Sequence, residues 1–283
     1  MFNELRCRLK EKFEYWGQEI RDEDVMDFGE YDLHERIQSQ QSFKLFRYLP
    51  TSYYGIRNVE KQVIHLSQNG VMNDVYEGIP GSQEELSYFQ IKKLSDLAFM
   101  TCFTETNSNT LMWSHYANNH EGICVEYDLK LLQADPFRIC KHLFPVIYSD
   151  TRPVNRNIHS LIESHRALKK AIDECYVYDG GEMLDDILPM FLTKGTEWAY
   201  EQEWRIVFTK KQMYDIDEEI LYSGNIHFPC VTAIYLGYRI HPEIKANLIE
   251  IADRISSAEN RKIQVYQAKL ESTGYGILFD KVN

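Results

Sequence analysis

No two cysteines of this sequence are spaced as Cys-x-x-Cys, and no apolar run reaches the roughly eighteen residues that a membrane-crossing helix needs. The six cysteines, Cys7, Cys102, Cys124, Cys140, Cys175 and Cys230, are scattered. A chain of 283 residues can bury a core without covalent staples, so they are expected as reduced thiols in a cytoplasmic protein. Cys102 and Cys124 sit in apolar runs, where a free thiol packs as a small hydrophobe. The opening stretch, Met1 to Phe13, has no apolar signal core, so neither export nor membrane insertion is expected. Basic charge is also short: 31 Lys and Arg stand against 43 Asp and Glu, a formal balance of −12. That opposes broad electrostatic binding of nucleic acid or anionic membrane, and it serves solubility equally well. A Walker loop, a dinucleotide-binding glycine fingerprint, a nucleophile elbow and the protein-kinase motifs are all missing. The commonest nucleotide-dependent enzymes are thereby excluded.

What is there reads as an ordered globular chain, 44% hydrophobic and 26% charged. Phe2, Leu5, Leu9, Phe13, Trp16 and Ile20 recur at steps of three and four, which predicts an amphipathic helix docked on the body of the protein. An acidic connection follows, so residues 1–43 are read as helix plus connection and 44–283 as one α+β domain. Strands are predicted at Lys44–Tyr48 (stopped by Pro50), Val63–Ser67, Leu97–Thr104, Ile123–Tyr127, Phe144–Tyr148, Glu203–Phe208, Val231–Leu236 and Ile263–Tyr266. Ser82 with Glu85 forms a capping box that opens a helix to about Leu94. Leu111–Ala117 is a short helix, residues 157–194 are helical with a break at 179–181, and Pro242 opens a helix to about Ile255. The last strands and helix form a β-α-β unit. The irregular mixture predicts a mostly antiparallel β core with flanking helices, not a doubly wound sheet.

Three constellations carry polar chemistry. In Tyr200-Glu-Gln-Glu-Trp-Arg205, strand alternation puts Glu201, Glu203 and Arg205 on one face and Trp204, Ile206 and Phe208 on the other. Two close carboxylates raise one proton affinity and leave the other ionised, and an adjacent guanidinium holds the ionised one. The alternative is a solvated strand edge with a structural Glu–Arg pair. Trp113-Ser-His-Tyr116 is the second constellation, with His115 read by default as a structural histidine. His115 and His120 are five apart, which is no helical metal pair, and no metal site is expected. The third is the turn Asn69 to Asp74, either a cap or a ligand-contacting loop through Asn73 and Asp74.

Phe46-Arg-Tyr48, Asn73-Asp74, Cys102-Phe103, MWSHYANNHEGICVEY (112 to 127) and YEQEWRIVF (200 to 208) resemble the bacterial domain-of-unknown-function family 2971, over about residues 44 to 240. That resemblance implies a phage-defence or abortive-infection setting. More distantly the chain looks like an ADP-ribosyltransferase, through Arg47 with Tyr48, then His65-Leu-Ser67, then Glu201-Gln-Glu203. The second element departs from the Ser-Thr-Ser of that family. This likeness implies NAD as substrate and no metal, with Glu203 stabilising an oxocarbenium-like transition state and Glu201 orienting or deprotonating the acceptor. Arg47 would hold the cofactor's ribose or phosphate, Tyr48 or Trp113 would stack on nicotinamide, and Ser67, Asn73, Asp74, His115, Tyr116 and Arg205 would complete the cleft. It also implies a macromolecular acceptor, with an antitoxin or chaperone as companion. The alternatives are a non-enzymatic sensor that uses the same cleft to bind a phage component or small ligand, and a metal-dependent hydrolase.

Overall fold

Alternating and continuous apolar runs of five to seven residues are what place the strands, and the computed structural model assembles most of them into one sheet. It describes residues 2–14, 33–68, 73–79, 81, 98–132, 139–154, 183–209, 212–213, 216, 220 and 223–283. The strands are β1 (Lys44–Leu49), β2 (Val63–His65), β3 (Ser67–Gln68), β4 (Ala98–Thr104), β5 (Ile123–Asp128), β6 (Leu143–Pro145), β7 (Ile147–Tyr148), β8 (Thr193–Lys194), β9 (Glu203–Thr209), β10 (Asn225–His227), β11 (Val231–Leu236), β12 (Gln264–Leu270) and β13 (Ile277–Lys281). The main sheet runs β13-β12-β11-β5-β1-β4-β9-β6, with β3 also on β4. All its pairings are antiparallel except β11 with β12. A parallel pair needs a crossover, and the helix Pro242–Ala258 supplies it. Leu248, Ile251, Ala252 and Ile255 form that helix's buried stripe. The fold is thus α+β with a large, mostly antiparallel sheet. The edge strand β13 has a largely exposed pattern that gave no strand signal in the sequence.

Helix α1 (Phe2–Glu14) buries Leu5, Leu9 and Phe13, as its stripe predicts. Trp16, Ile20 and the acidic connection lie outside the described residues, as do the capping box at Ser82 and all of 157–182. Arg6 of α1 pairs with Glu105 at 2.6 Å, and the same Glu105 oxygen accepts from the Trp204 indole at 2.8 Å. The N-terminal helix is in this way braced against β9. Among the described residues no helix is long and apolar enough to cross a membrane.

Two predicted strands are each broken in two. Val63–Ser67 divides at Leu66, whose amide donates to Gly224, leaving β2 on β10 and β3 on β4. Phe144–Tyr148 divides at Val146, whose amide donates to the Glu203 carbonyl at 2.9 Å, while the Glu203 amide turns to the Tyr148 hydroxyl instead of the ladder. The chain then leaves β9 and pairs β7 in parallel with β8. The predicted helix up to residue 194 ends at Leu192, because Thr193 and Lys194 are extended in β8.

One join in the sheet is incomplete. Strands β1 and β4 share a single pair, Phe46 with Thr104, whereas β1 pairs with β5 along its full length. Past that pair the two strands part, and β3 takes up the edge of β4 at Met100. A cavity of about 330 Å³ opens in the gap, walled by residues 46–50 and 100–104.

The turn after the helix Thr110–Tyr116 closes tightly. Asn118, Asn119 and His120 all adopt positive φ, a region asparagine tolerates better than most residues. Gly122 then passes so close to β1 that an added Cβ would stand 2.4 Å from the Leu49 carbonyl oxygen. The substitution Gly122→Ala is expected to cost about 1–3 kcal/mol by overpacking. Urea unfolding measures it, and an unchanged midpoint would show that the backbone relaxes freely there.

Candidate functional site

Glu201 is not on the strand. Residues Thr196–Glu201 form a 3₁₀ turn, Gln202 takes a left-handed φ of 46°, and β9 begins only at Glu203. The expected continuous strand alternation is therefore corrected at its first member. The left-handed residue nevertheless folds Glu201 back beside Glu203, so the two carboxylates and Arg205 do meet. Across the β4–β9 ladder Cys102 lies opposite Arg205, and its thiol hydrogen-bonds Glu203. The solvated-edge alternative does not describe this strand, since every residue of β9 is buried.

Further elements complete the cluster. Strand β8 brings Lys194, whose ammonium donates to Glu201 Oε2 at 2.6 Å and to Glu203 Oε2 at 3.3 Å. The same ammonium lies 4.6 Å from the centre of the Trp198 ring. The helix Thr110–Tyr116 ends with Tyr116, whose hydroxyl donates to Glu201 Oε1 at 2.5 Å. Its N-cap, Asn109, also donates to the Tyr200 carbonyl and ties that helix to the 3₁₀ turn. Arg205 is fully buried and grips both oxygens of Glu203, at 2.8 and 2.9 Å. Its remaining Nη1 donates to Glu77 and to the Phe191 carbonyl. Tyr148 accepts from the Glu203 amide at 2.8 Å.

Three carboxylates thus share two cations in a buried space. Burial alone would raise the proton affinity of Glu203, but Arg205 and Lys194 outweigh it and hold this carboxyl well below its ordinary range. Glu201 moves the other way, raised by burial and by the charge of Glu203 against the pull of Lys194. Burial likewise raises Glu77 in spite of Arg205. The Tyr116 hydroxyl is pushed up by burial and by Glu201, so it stays a donor. Burial disfavours the Lys194 ammonium, yet the surrounding carboxylates keep it protonated. The Cys102 thiol is raised by burial and by Glu203, which makes it a poor thiolate. Chemically the arrangement is a clamped, ionised carboxylate beside a second one with a heightened grip on its proton.

The cluster floors the 330 Å³ cavity in the split of the sheet. Arg47, Tyr48, Ser67, Asn73, Tyr116, Glu201, Glu203 and Arg205 all border it. Asp74 does not; it borders a neighbouring cavity of about 340 Å³ reached past Lys194 and Trp198. Trp113 is also displaced, fully buried in the core with its ring edge-on to Tyr48 at 5.2 Å and its indole donating to Asn107. His115 is exposed beside Tyr116 and Tyr200, outside the cavity. Ser114 pairs instead with His120 at 3.1 Å, away from the cavity. Thr101, on the cavity wall, has a buried hydroxyl with no hydrogen-bond partner among the described residues, a polar group of the kind a ligand can satisfy. Among the described residues no group of three or more His, Cys, Asp or Glu is arranged to hold a metal ion.

Lys194, Glu77 and the site role of Cys102 escaped the sequence reading. Lys194 follows an apolar helix without any motif, and Glu77 belongs to a turn far away in sequence. Only the fragment Phe46 to Tyr48 and the Glu-x-Glu spacing offered a signal. Loss of the central guanidinium in Arg205→Met should cost about 3–5 kcal/mol near neutral pH, because it removes the buried cation that both Glu203 and Glu77 bind. The Glu203 contribution is present above its ordinary value of 4.5 and is lost as pH falls toward the depressed folded value. The gap between variant and parent should therefore narrow in acid. Chemical denaturation at both pH values measures this, and a gap independent of pH would locate the loss elsewhere.

No curated protein and no solved structure matches the chain. The likeness to ADP-ribosyltransferases accordingly gains no support from either comparison. One family does match, over a span that holds Tyr116, Lys194, Glu201, Glu203 and Arg205 and is narrower than the resemblance read from the motifs. Residues 112–206 of this chain match the model of the family described as Protein of unknown function (DUF2971).

Proposed function

We propose that the chain is an enzyme that uses the two carboxylates for glycosyl-type transfer, with NAD as substrate and a macromolecule as acceptor, in the manner of an ADP-ribosyltransferase acting as a toxin or phage-defence effector. One observation carries the reading. Arg47, Tyr116, Glu201 and Glu203, drawn from four separate elements, converge on a single cavity, and the two carboxylates have opposite proton affinities. Such a division suits a reaction that needs both a fixed negative charge and a base. Glu203, ionised and clamped by Arg205, suits stabilisation of a cationic, oxocarbenium-like centre without reorganisation. Glu201 suits the proton transfer. In that step the bond between ribose and nicotinamide breaks, and nicotinamide leaves with the bonding pair. The acceptor's nucleophilic atom then attacks the ribosyl carbon and its proton passes to Glu201.

A second reading is favoured by one feature of the same cluster. Each carboxylate already has a cationic partner within the protein. That is the economy of a recognition cleft, in which the cluster fixes shape and the chain senses a ligand without converting it. Purified protein incubated with labelled NAD and cell lysate separates the two. The enzyme reading expects nicotinamide release and label transfer, with Glu201→Gln slower by about 10²–10⁴-fold while still folded. Folded parent protein that releases no nicotinamide and transfers no label would overturn it in favour of the recognition cleft.

A further inference from the structure

Behind Arg47 the wall of the first cavity becomes the wall of a second, of about 960 Å³. The helix Tyr53–Glu60 and the residue after it contribute Arg57 and Lys61. The β2–β10 ladder contributes His65, Asn225 and His227. Its register sets His65 opposite Asn225 and His227 opposite Val63, so the two histidines lie on one face of the ladder. His65 Nδ1 and Asn225 Oδ1 stand 3.1 Å apart, which fixes that ring. No Asp or Glu occurs among the described lining residues, although the whole chain has 43 acids against 31 bases. Arg47, Arg57 and Lys61 form no salt bridge among the described residues.

Cations gathered without counter-charge in a concave space repel one another, and an anion relieves that cost. Guanidinium and ammonium groups together suit phosphate oxygens, the first by forked hydrogen bonds and the second as a point charge. The balance of −12 opposes approach of a long polyanion such as nucleic acid, but a compact one that enters the cavity meets, among the described residues, a basic wall. We propose that this second cavity is the phosphate subsite for a small, multiply phosphorylated ligand, and that Arg47 joins it to the carboxylate cavity so that one molecule spans both. The subsite deepens the reading given above and rests on it for the end of the ligand that reaches Glu201. Its basic lining stands without that reading.

Titration calorimetry of the full chain with inorganic pyrophosphate tests the subsite. Saturable binding is expected, weakened about tenfold or more in Arg57→Ala/Lys61→Ala. Thermal unfolding without pyrophosphate checks that the variant is folded, and Lys61→Arg, which keeps the charge, should retain binding. Glu201→Gln should bind pyrophosphate like the parent while losing nicotinamide release. Absence of saturable binding, or binding that the double variant leaves unchanged, overturns the subsite. So does tighter binding of a short oligonucleotide than of pyrophosphate, which would make the surface a nucleic-acid interface. Pyrophosphate binding by a protein that never turns over NAD sustains the subsite and discards only the proposed reaction.

Discussion

A single buried guanidinium holds together most of what is distinctive in this structure. Arg205 is withdrawn from water, and isolated burial of such a charge costs several kcal/mol. Only a complete set of acceptors offsets that cost, and here they come from Glu203 on its own strand, Glu77 in a distant turn and the Phe191 carbonyl at the end of a helix. A guanidinium suits this place better than an ammonium, since its planar fork satisfies three groups in fixed directions. The arginine therefore decides where the turn and the helix end dock, and through Glu203 it sets the charge of the cavity floor.

Lys194 and Glu201 depend on that arrangement. Lys194 reaches the site because the chain leaves β9 after Val146 and pairs β7 with β8, so strand pairing beside the cluster delivers a cation to it. Glu201 then faces a Glu203 that Arg205 keeps ionised, and that charge, with burial, gives Glu201 the proton-binding role its neighbour cannot take. The split between β1 and β4 provides the room. A sheet that paired along its whole length would have filled the space that the cluster faces.

Much of the framework was legible because it rests on local signals. Alternation and apolar runs placed β1, β4, β5, β9 and β11, and the step of three and four placed Leu5, Leu9 and Phe13 on one buried stripe. The pairing of Glu203 with Arg205 followed from a spacing of two on a strand. Other features are products of tertiary contact. Trp113 looked like a cleft wall, yet its place on the inward side of a short helix buries it against Tyr48. Glu77 enters the cluster through Arg205, more than a hundred residues away. Leu66 breaks a strand because Gly224 competes for its amide, which no window around residue 66 contains.

The left-handed Gln202 has a mechanical consequence. It divides the acid pair between two elements: Glu203 stands in β9, paired with Thr104 and bonded through its carbonyl by the Val146 amide, while Glu201 ends a six-residue turn held by the Asn109 amide and the Thr104 hydroxyl. Any displacement of that turn changes the spacing between the acids by moving only one of them. Because separate elements place the two acids, a substitution that shifts the turn alters the acid spacing and the Glu201–Tyr116 bond while leaving Glu203 in its strand.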